Sequence, residues 1–308
     1  MPCFHPLQAS FSVRSDGKKD IIFSDAGARL FSKGISRISS DSISLPCGRC
    51  MGCRLERSRQ WAARCMAEAQ MYKDNCFVTL TFSPENVLKM CPGGSLDKAH
   101  MQNFMKRLRQ EYDFKRIRVF YCGEYGEKSG RPHYHAIIFN HAFKDKEYWK
   151  TKNGFKLFTS PTLSRLWPFG HAVLGDVSFE TCAYVARYCV KKVTGSAAAE
   201  HYKGRLPEFC QASLKPGIGK PWLDKFGKTD VFPYDEFIAR DVRCKPPRYF
   251  DKVLEKVDPS AFELMKKRRL DFSKKKSFDN SFKRLRAREK VLERKMKLLI
   301  RSIENDYA

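Results

Sequence analysis

The stretch from Pro132 to Asn140, PHYHAIIFN, restricts this chain more than any other. In an extended strand, residues two apart point to the same side. His133 and His135 therefore project together, at a separation that suits one divalent ion, while Tyr134, Ala136 and Ile138 turn to the opposite face and ask for an apolar core. Two imidazoles set among hydrophobes in mid-sheet are costly unless a metal or a charged partner meets them. The bland alternative is a half-exposed strand that carries two histidines by coincidence.

The flanking segments predict what surrounds this strand. Cys76–Phe82 (CFVTLTF) is β-rich and stops at Ser83-Pro84. After a Cys91–Gly94 turn, Ser95 or Asp97 starts a helix with Met101, Phe104, Met105, Leu108 and Tyr112 on one face. Arg116–Tyr121 reads as a second strand, Gly123–Arg131 as a polar turn, and Pro132–Asn140 as the returning arm of a hairpin. A strand over Ala172–Phe179 and a helix over Thr181–Lys192 follow. The expected class is α+β, an antiparallel sheet with flanking helices. Three parts are expected: residues 1–70, a Ser/Gly-rich irregular segment ending in a cysteine cluster and a basic helix; residues 71–245, the α+β domain; and residues 246–308, basic and mostly helical. In the last part Phe282, Leu285, Leu292, Met296, Leu299 and Ile303 fit an apolar stripe that Glu289 alone interrupts.

Charge narrows the partners. With 59 basic and 34 acidic residues, the formal net charge is +25, which calls for a polyanion, either nucleic acid or an anionic membrane surface. No apolar run approaches the roughly 20 residues that span a bilayer. The first residues show no basic region followed by an apolar stretch, so no secretory signal is expected. A cytosolic nucleic-acid-binding protein is the resulting expectation. The 12 cysteines are scattered and do not suggest a disulfide framework. Cys76, Cys122, Cys182 and Cys189 read as small buried hydrophobes.

Two further features carry chemistry. Glu124 lies in CGEYGEKSGRPHYH, and a hairpin would return its carboxylate beside the histidines. Two imidazoles and a carboxylate leave positions open on an ion; the mixed set suits Mn²⁺ or Mg²⁺, and Zn²⁺ would bind too. Glu127 is the alternative ligand, read more simply as a solvated turn residue. Tyr184 and Tyr188, spaced i, i+4 in TCAYVARYCVKK, share a helix face. An aromatic pair in a core is the ordinary reading. Interleaved Arg187, Lys191 and Lys192 argue for another, with Lys191 three residues after Tyr188. A phenolate can attack a DNA phosphodiester and release a 3′-hydroxyl, and the phosphotyrosine ester keeps the bond energy for rejoining. A cation such as Lys191 favours the phenolate.

FVTLTF (77–82), GRPHYHAIIF (130–139) and YVARYCVKK (184–192), in that order, resemble the three motifs of the HUH endonuclease superfamily. The two-tyrosine arrangement is similar to that of replication initiators of small isometric single-stranded DNA phages. CGRCMGCRLERSRQWAAR and PGIGKPW (216–222) resemble the gokushovirus branch of the microviruses. The resemblance spans most of residues 45–225. It implies His133, His135 and, less directly, Glu124 as ligands of a catalytic Mg²⁺ or Mn²⁺, and Tyr184 and Tyr188 as nucleophiles. It also implies rolling-circle replication in a host bacterial cytoplasm, acting on single-stranded and replicative-form viral DNA. No GxxxxGK[ST] loop is present, so helicase and polymerase would come from the host.

Cys47-x-x-Cys50-x-x-Cys53 offers three thiolates in seven residues, a candidate structural Zn²⁺ site if a fourth ligand joins. Cys3 is the first choice, ahead of His5 and Cys65; free thiols in a Gly-rich turn are the alternative. A non-enzymatic zinc-containing DNA-binding or packaging protein would account for charge and cysteines but not for the histidine strand and tyrosine pair. A relaxase or transposase of the same superfamily would share the chemistry in another setting.

Overall fold

The computed structural model describes residues 3–13, 19–23, 37–126, 129–152, 154–193, 197–275 and 277–298, without the side chains of 13, 19, 37–42, 188–191 and 277. The described residues form two compact units, one from Met1–Glu56 and Leu270–Leu299, the other from Arg57–Arg269.

The first unit opens with strands β1 (Leu7–Val13), β2 (Lys19–Phe23) and β3 (Arg37–Leu45), an antiparallel sheet in the order β2-β1-β3. This corrects the expectation of an irregular segment. Leu7, Ala9, Phe11 and Val13 alternate at the strand period, and that alternation outweighs the Ser/Gly-rich composition. A register shift between Ser10 and Ser12 marks a bulge, and Ala9 and Ser12, which would face opposite ways in a regular strand, are both buried. Helix α1 (Met51–Ala69) follows, its residues from Arg57 onward belonging to the second unit.

The second unit contains β4 (Asn75–Thr81), α2 (Pro84–Met90), α3 (Lys98–Glu111), β5 (Arg118–Tyr125), β6 (Pro132–Phe139), β7 (Glu147–Lys152), β8 (Phe155–Thr159), α4 (Pro161–Leu166), β9 (Ala172–Gly175), α5 (Phe179–Lys191), α6 (Ala197–Tyr202), β10 (Phe209–Ala212), α7 (Lys220–Phe226), β11 (Phe237–Ala239), β12 (Val242–Cys244), α8 (Arg248–Val257) and most of α9 (Pro259–Lys275). Seven strands make one antiparallel sheet in the order β10-β5-β6-β4-β9-β8-β7. The fold is thus α+β, a large antiparallel sheet with flanking helices of HUH endonuclease-like type. On one face Val78, Leu80, Tyr134, Ala136 and Ile138 pack with Met101, Phe104, Met105 and Leu108 of α3 and with Trp167. On the other, Phe77, Phe120, Ile137 and Phe139 pack with Ala62 and Cys65 of α1 and Cys182, Val185 and Ala186 of α5. Asp97 caps α3, its carboxylate accepting from Ala99 N at 2.8 Å. The buried Tyr134 hydroxyl donates to Asp97 O at 2.8 Å and stands 2.8 Å from His100 Nδ1.

Two boundaries differ from expectation. Strand β5 runs on through Gly123 and Glu124 to Tyr125, where a turn was expected. Gly123 is tolerated because the Phe209 ring of neighbouring β10 lies where a side chain would be, 3.0 Å from an ideal Cβ. Strand β9 ends at Gly175, since Ser178 and Thr181 form a capping box and Phe179 becomes the first residue of α5. The β7–β8 hairpin, α4 and β10 were not anticipated.

The last helix, α10 (Phe282–Leu298), belongs to the first unit. Leu285 is buried, Leu292 and Met296 are half-buried, and Phe282 is exposed, so the packed stripe begins at Leu285; Leu299 and Ile303 lie outside the described residues. Glu289, the polar interruption, pairs with His5 Nε2 at 2.6 Å. Among the described residues no helix is long and apolar enough to cross a membrane.

A buried ion pair fixes the PGIG segment. Arg118 of β5 pairs with Glu68 of α1, both almost fully enclosed. Arg118 Nη2 donates to Pro216 O at 2.7 Å, and Gly219 N donates to Glu68 Oε2 at 2.7 Å. Removing one partner of such a pair strands a buried charge. Glu68→Ala is therefore expected to lower the unfolding free energy by about 3–5 kcal/mol, read as a reduced midpoint in urea at unchanged slope; a loss of only a few tenths would show that water reaches Arg118.

Candidate active site

Register builds the site. In the β5–β6 pair, Glu124 stands opposite His133 and Cys122 opposite His135; in the β4–β6 pair, Thr79 stands opposite His135. The three polar groups therefore share the face covered by α5. Glu124 Oε1 lies 2.6 Å from His133 Nε2 and 2.8 Å from His135 Nε2, and all three residues are buried. One ligand atom from each falls within 4.8 Å of the others, close enough to share one ion. Burial alone would raise the Glu124 carboxylate, but the charge of His133 and the hydrogen bonds from both histidines outweigh it and hold the group below its ordinary value.

Both rings are oriented from behind. His133 Nδ1 donates to Arg131 O at 3.1 Å, which can only accept, and this turns Nε2 toward the Glu124 carboxylate. His135 Nδ1 lies 2.9 Å from Thr79 Oγ1, and Phe77 stacks on its ring at 5.7 Å with 9° between planes. A hydrogen bond on the far nitrogen is the usual device for presenting an imidazole to a cation. Residue types suited to a divalent ion and this backing together make a fitting cradle. Sequence reasoning missed Thr79 and the Arg131 carbonyl. The Thr79 signal lay in FVTLTF, where a polar side chain two residues from Phe77 points to the same face.

Helix α5 adds the tyrosine. Ser178 starts the helix, Glu180 lies in its first turn, where negative charge suits the helix dipole, and Cys182, Val185 and Ala186 bury it on the sheet. Tyr184 is buried with them. Its hydroxyl lies 3.3 Å from His135 Nε2, and its ring meets the imidazole edge-on at 4.9 Å. Ser58 of α1 donates to Ala183 O at 2.9 Å and braces the same turn. Tyr188 and Lys191 lie further along α5; their side chains, and Glu127, lie outside the described residues.

The remaining candidates, Cys3, Cys47, Cys50 and Cys53, also converge, their sulfurs within 4.8 Å of one another in the first unit. Cys76, Cys122 and Cys182 are buried and form no disulfide, the Cys189 side chain lies outside the described residues, and the half-buried Cys210 is disulfide-bonded.

Comparison with known proteins gives the chain's relatives. The family model described as replication-associated protein ORF2/G2P matches residues 75–193, which hold β4, the histidine strand and α5. The chain is 30% identical to replication-associated protein VP4 of Bdellovibrio phage phiMH2K over 84% of its own length and 79% of that protein's. It is 30% identical to replication-associated protein ORF2 of Spiroplasma virus 4, covering 86% of this chain and 83% of the relative. The chain belongs to this family of phage replication-associated proteins. A third member, ORF4 of Chlamydia phage 1, is 31% identical over 73% of this chain and 57% of its own length. No solved structure matches.

The geometry around His135 generates a prediction. Thr79→Val removes the hydroxyl behind Nδ1 and keeps the shape, so Mn²⁺ affinity measured by calorimetry should fall roughly 10–100-fold with an unchanged circular dichroism spectrum. Unaltered affinity would mean that the Phe77 stack alone holds the ring.

Proposed function

We propose that this replication-associated protein is a rolling-circle initiator that nicks and rejoins single-stranded DNA at the origin through a 5′-phosphotyrosine intermediate. The observation that carries the reading is the Tyr184 hydroxyl, 3.3 Å from an imidazole of the buried His133–His135–Glu124 triad. A nucleophile beside a cluster suited to a divalent cation is what phosphodiester transfer needs.

The roles follow from the residues. His133, His135 and Glu124 would hold Mg²⁺ or Mn²⁺, which when bound polarises the scissile phosphate and offsets its growing charge. Tyr184 or Tyr188 attacks phosphorus as the phenolate. A new tyrosine–phosphate ester forms, the bond to the 3′-oxygen breaks, and that oxygen leaves as a 3′-hydroxyl after taking a proton. Lys191 is assigned to favour the phenolate. Rejoining is the reverse attack by a 3′-hydroxyl, so no nucleotide cofactor is consumed. With two tyrosines, one can hold the first end while the other makes the second cut. Residues 71–245 are read as the nicking domain, with viral single-stranded and replicative-form DNA as substrates, host helicase and polymerase as partners, and the bacterial cytoplasm as the site of action. A purely DNA-binding or packaging role would leave the charged triad in the sheet without purpose.

The test is a denaturing gel of the full chain with labelled single-stranded oligonucleotides from its own genome, with and without Mn²⁺ or Mg²⁺. A metal-dependent protein–DNA adduct is expected, reduced in Tyr184→Phe or Tyr188→Phe and absent in the double variant. An undiminished adduct in the double variant removes both tyrosines from the chemistry. No adduct with any genomic oligonucleotide, from folded and metal-loaded protein, overturns the reading.

A further inference from the structure

The nicking chemistry makes no use of the four converging cysteines. We propose that Cys3, Cys47, Cys50 and Cys53 form a closed structural zinc site. A tetrahedral zinc with sulfurs at about 2.3 Å sets those sulfurs about 3.8 Å apart. Here Cys47 and Cys53 Sγ stand 4.0 Å apart, as do Cys50 and Cys3 Sγ. All four are free, and a disulfide would need about 2.05 Å. Backbone amides point at the sulfurs: Phe4 N at Cys50 Sγ (3.4 Å), Cys47 N at Cys3 Sγ (3.3 Å) and Cys50 N at Cys47 Sγ (3.3 Å). Such amides stabilise thiolate charge, the state that binds metal.

The competing fourth ligands fall away. His5 is engaged by Glu289, and Cys65 is buried in the second unit against Cys182. Four soft sulfurs select zinc over Mg²⁺ or Mn²⁺, and with every position filled by protein no site remains for substrate. The role is therefore a brace. Cys3 and Cys47 are 44 positions apart and enclose the β1–β3 sheet, while Cys53 lies in the first turn of α1. One ion would close that long loop and tie it to the start of α1.

Metal analysis of the full chain, purified from zinc-supplied cells, should find about one zinc that survives His133→Ala/His135→Ala and is lost in Cys3→Ser and in Cys50→Ser. Because those cysteine variants could unfold, Co²⁺ is also added to metal-stripped wild type; intense visible bands of tetrahedral sulfur-bound cobalt, bleached by zinc, are expected. Zinc retained in both cysteine variants, iron in its place, or no such cobalt spectrum from folded protein overturns the site.

A second surface is carried by a different observation, and it deepens the reading of single-stranded DNA as substrate. Strand β7 is one edge of the seven-stranded sheet and displays Tyr148 and Trp149, 60% and 49% exposed. Lys144, Lys146, Lys150 and Lys152 flank them along the chain and Lys156 lies on the paired β8, with Lys150 Nζ 3.7 Å from the Trp149 ring centre. Of the two acids among them, Glu147 is exposed and Asp145 is turned into the start of α4, bonded to Ser160 Oγ and Thr162 N at 2.7 Å each. Exposed rings with cations beside them suit unpaired bases, which stack while their phosphates meet the lysines. We infer that the β7–β8 hairpin is a track for single-stranded DNA. Anisotropy with an oligo-dT probe, in the absence of divalent metal, should show roughly tenfold or weaker binding for Trp149→Ala, with a smaller effect on a duplex of equal length. Wild-type affinity for oligo-dT in Trp149→Ala overturns the track; because no cleavage is involved, that result is independent of whether the nicking chemistry holds.

Discussion

The register between β5 and β6 is the constraint on which the second unit depends. Glu124 opposite His133 puts a carboxylate against two imidazoles on the α5 face and leaves Tyr134, Ala136 and Ile138 for the core beneath α3. A slip of one residue would send both histidines into that apolar layer and turn the hydrophobes toward the polar cluster. The polar triad and the hydrophobic core thus specify the same pairing from opposite faces. Gly123 serves this register too, letting Phe209 lie over β5 immediately before Glu124.

This double constraint explains what could be read from residues alone. Strands β4 and β6, helix α3 and helix α5 announce themselves by periodicity, and the return of Glu124 toward the histidines follows from a hairpin of ordinary geometry. What could not be read depends on partners distant in sequence. Gly123 looks like a turn until Phe209, from the edge strand, covers it. Thr79 looks like one more β-branched strand residue until the register sets it behind His135. The N-terminal sheet was hidden for another reason. Its alternation is carried by few apolar residues among serines, and composition speaks louder than period in such a stretch.

Under the proposed chemistry Tyr184 would be a core residue and a nucleophile at once. Its ring contacts Phe77 and His135, and its neighbours Cys182, Val185 and Ala186 are ordinary packing residues. Tyr184 is therefore a buried aromatic, as the core reading expects, while the Tyr188 side chain lies outside the described residues. What distinguishes Tyr184 is the identity of its neighbour: the hydroxyl meets the same Nε2 that faces Glu124. A helix docked by its apolar residues delivers the phenol to the triad without any loop having to close, and the Ser178 cap fixes where along the sheet that delivery occurs.

The two ligand clusters lie in different units and differ in chemistry, and so in the metals each would take. The triad offers two nitrogens and an oxygen with positions left over, a set compatible with hard, substrate-binding cations. The cysteine cluster offers four sulfurs, each a poor partner for Mg²⁺ and a good one for zinc. A cell that holds Mg²⁺ in excess would not fill the sulfur site with it. If both proposals hold, a thiolate site filled once per chain does not lower the free zinc that the triad meets, so the triad's choice of metal rests on its own nitrogen and oxygen donors.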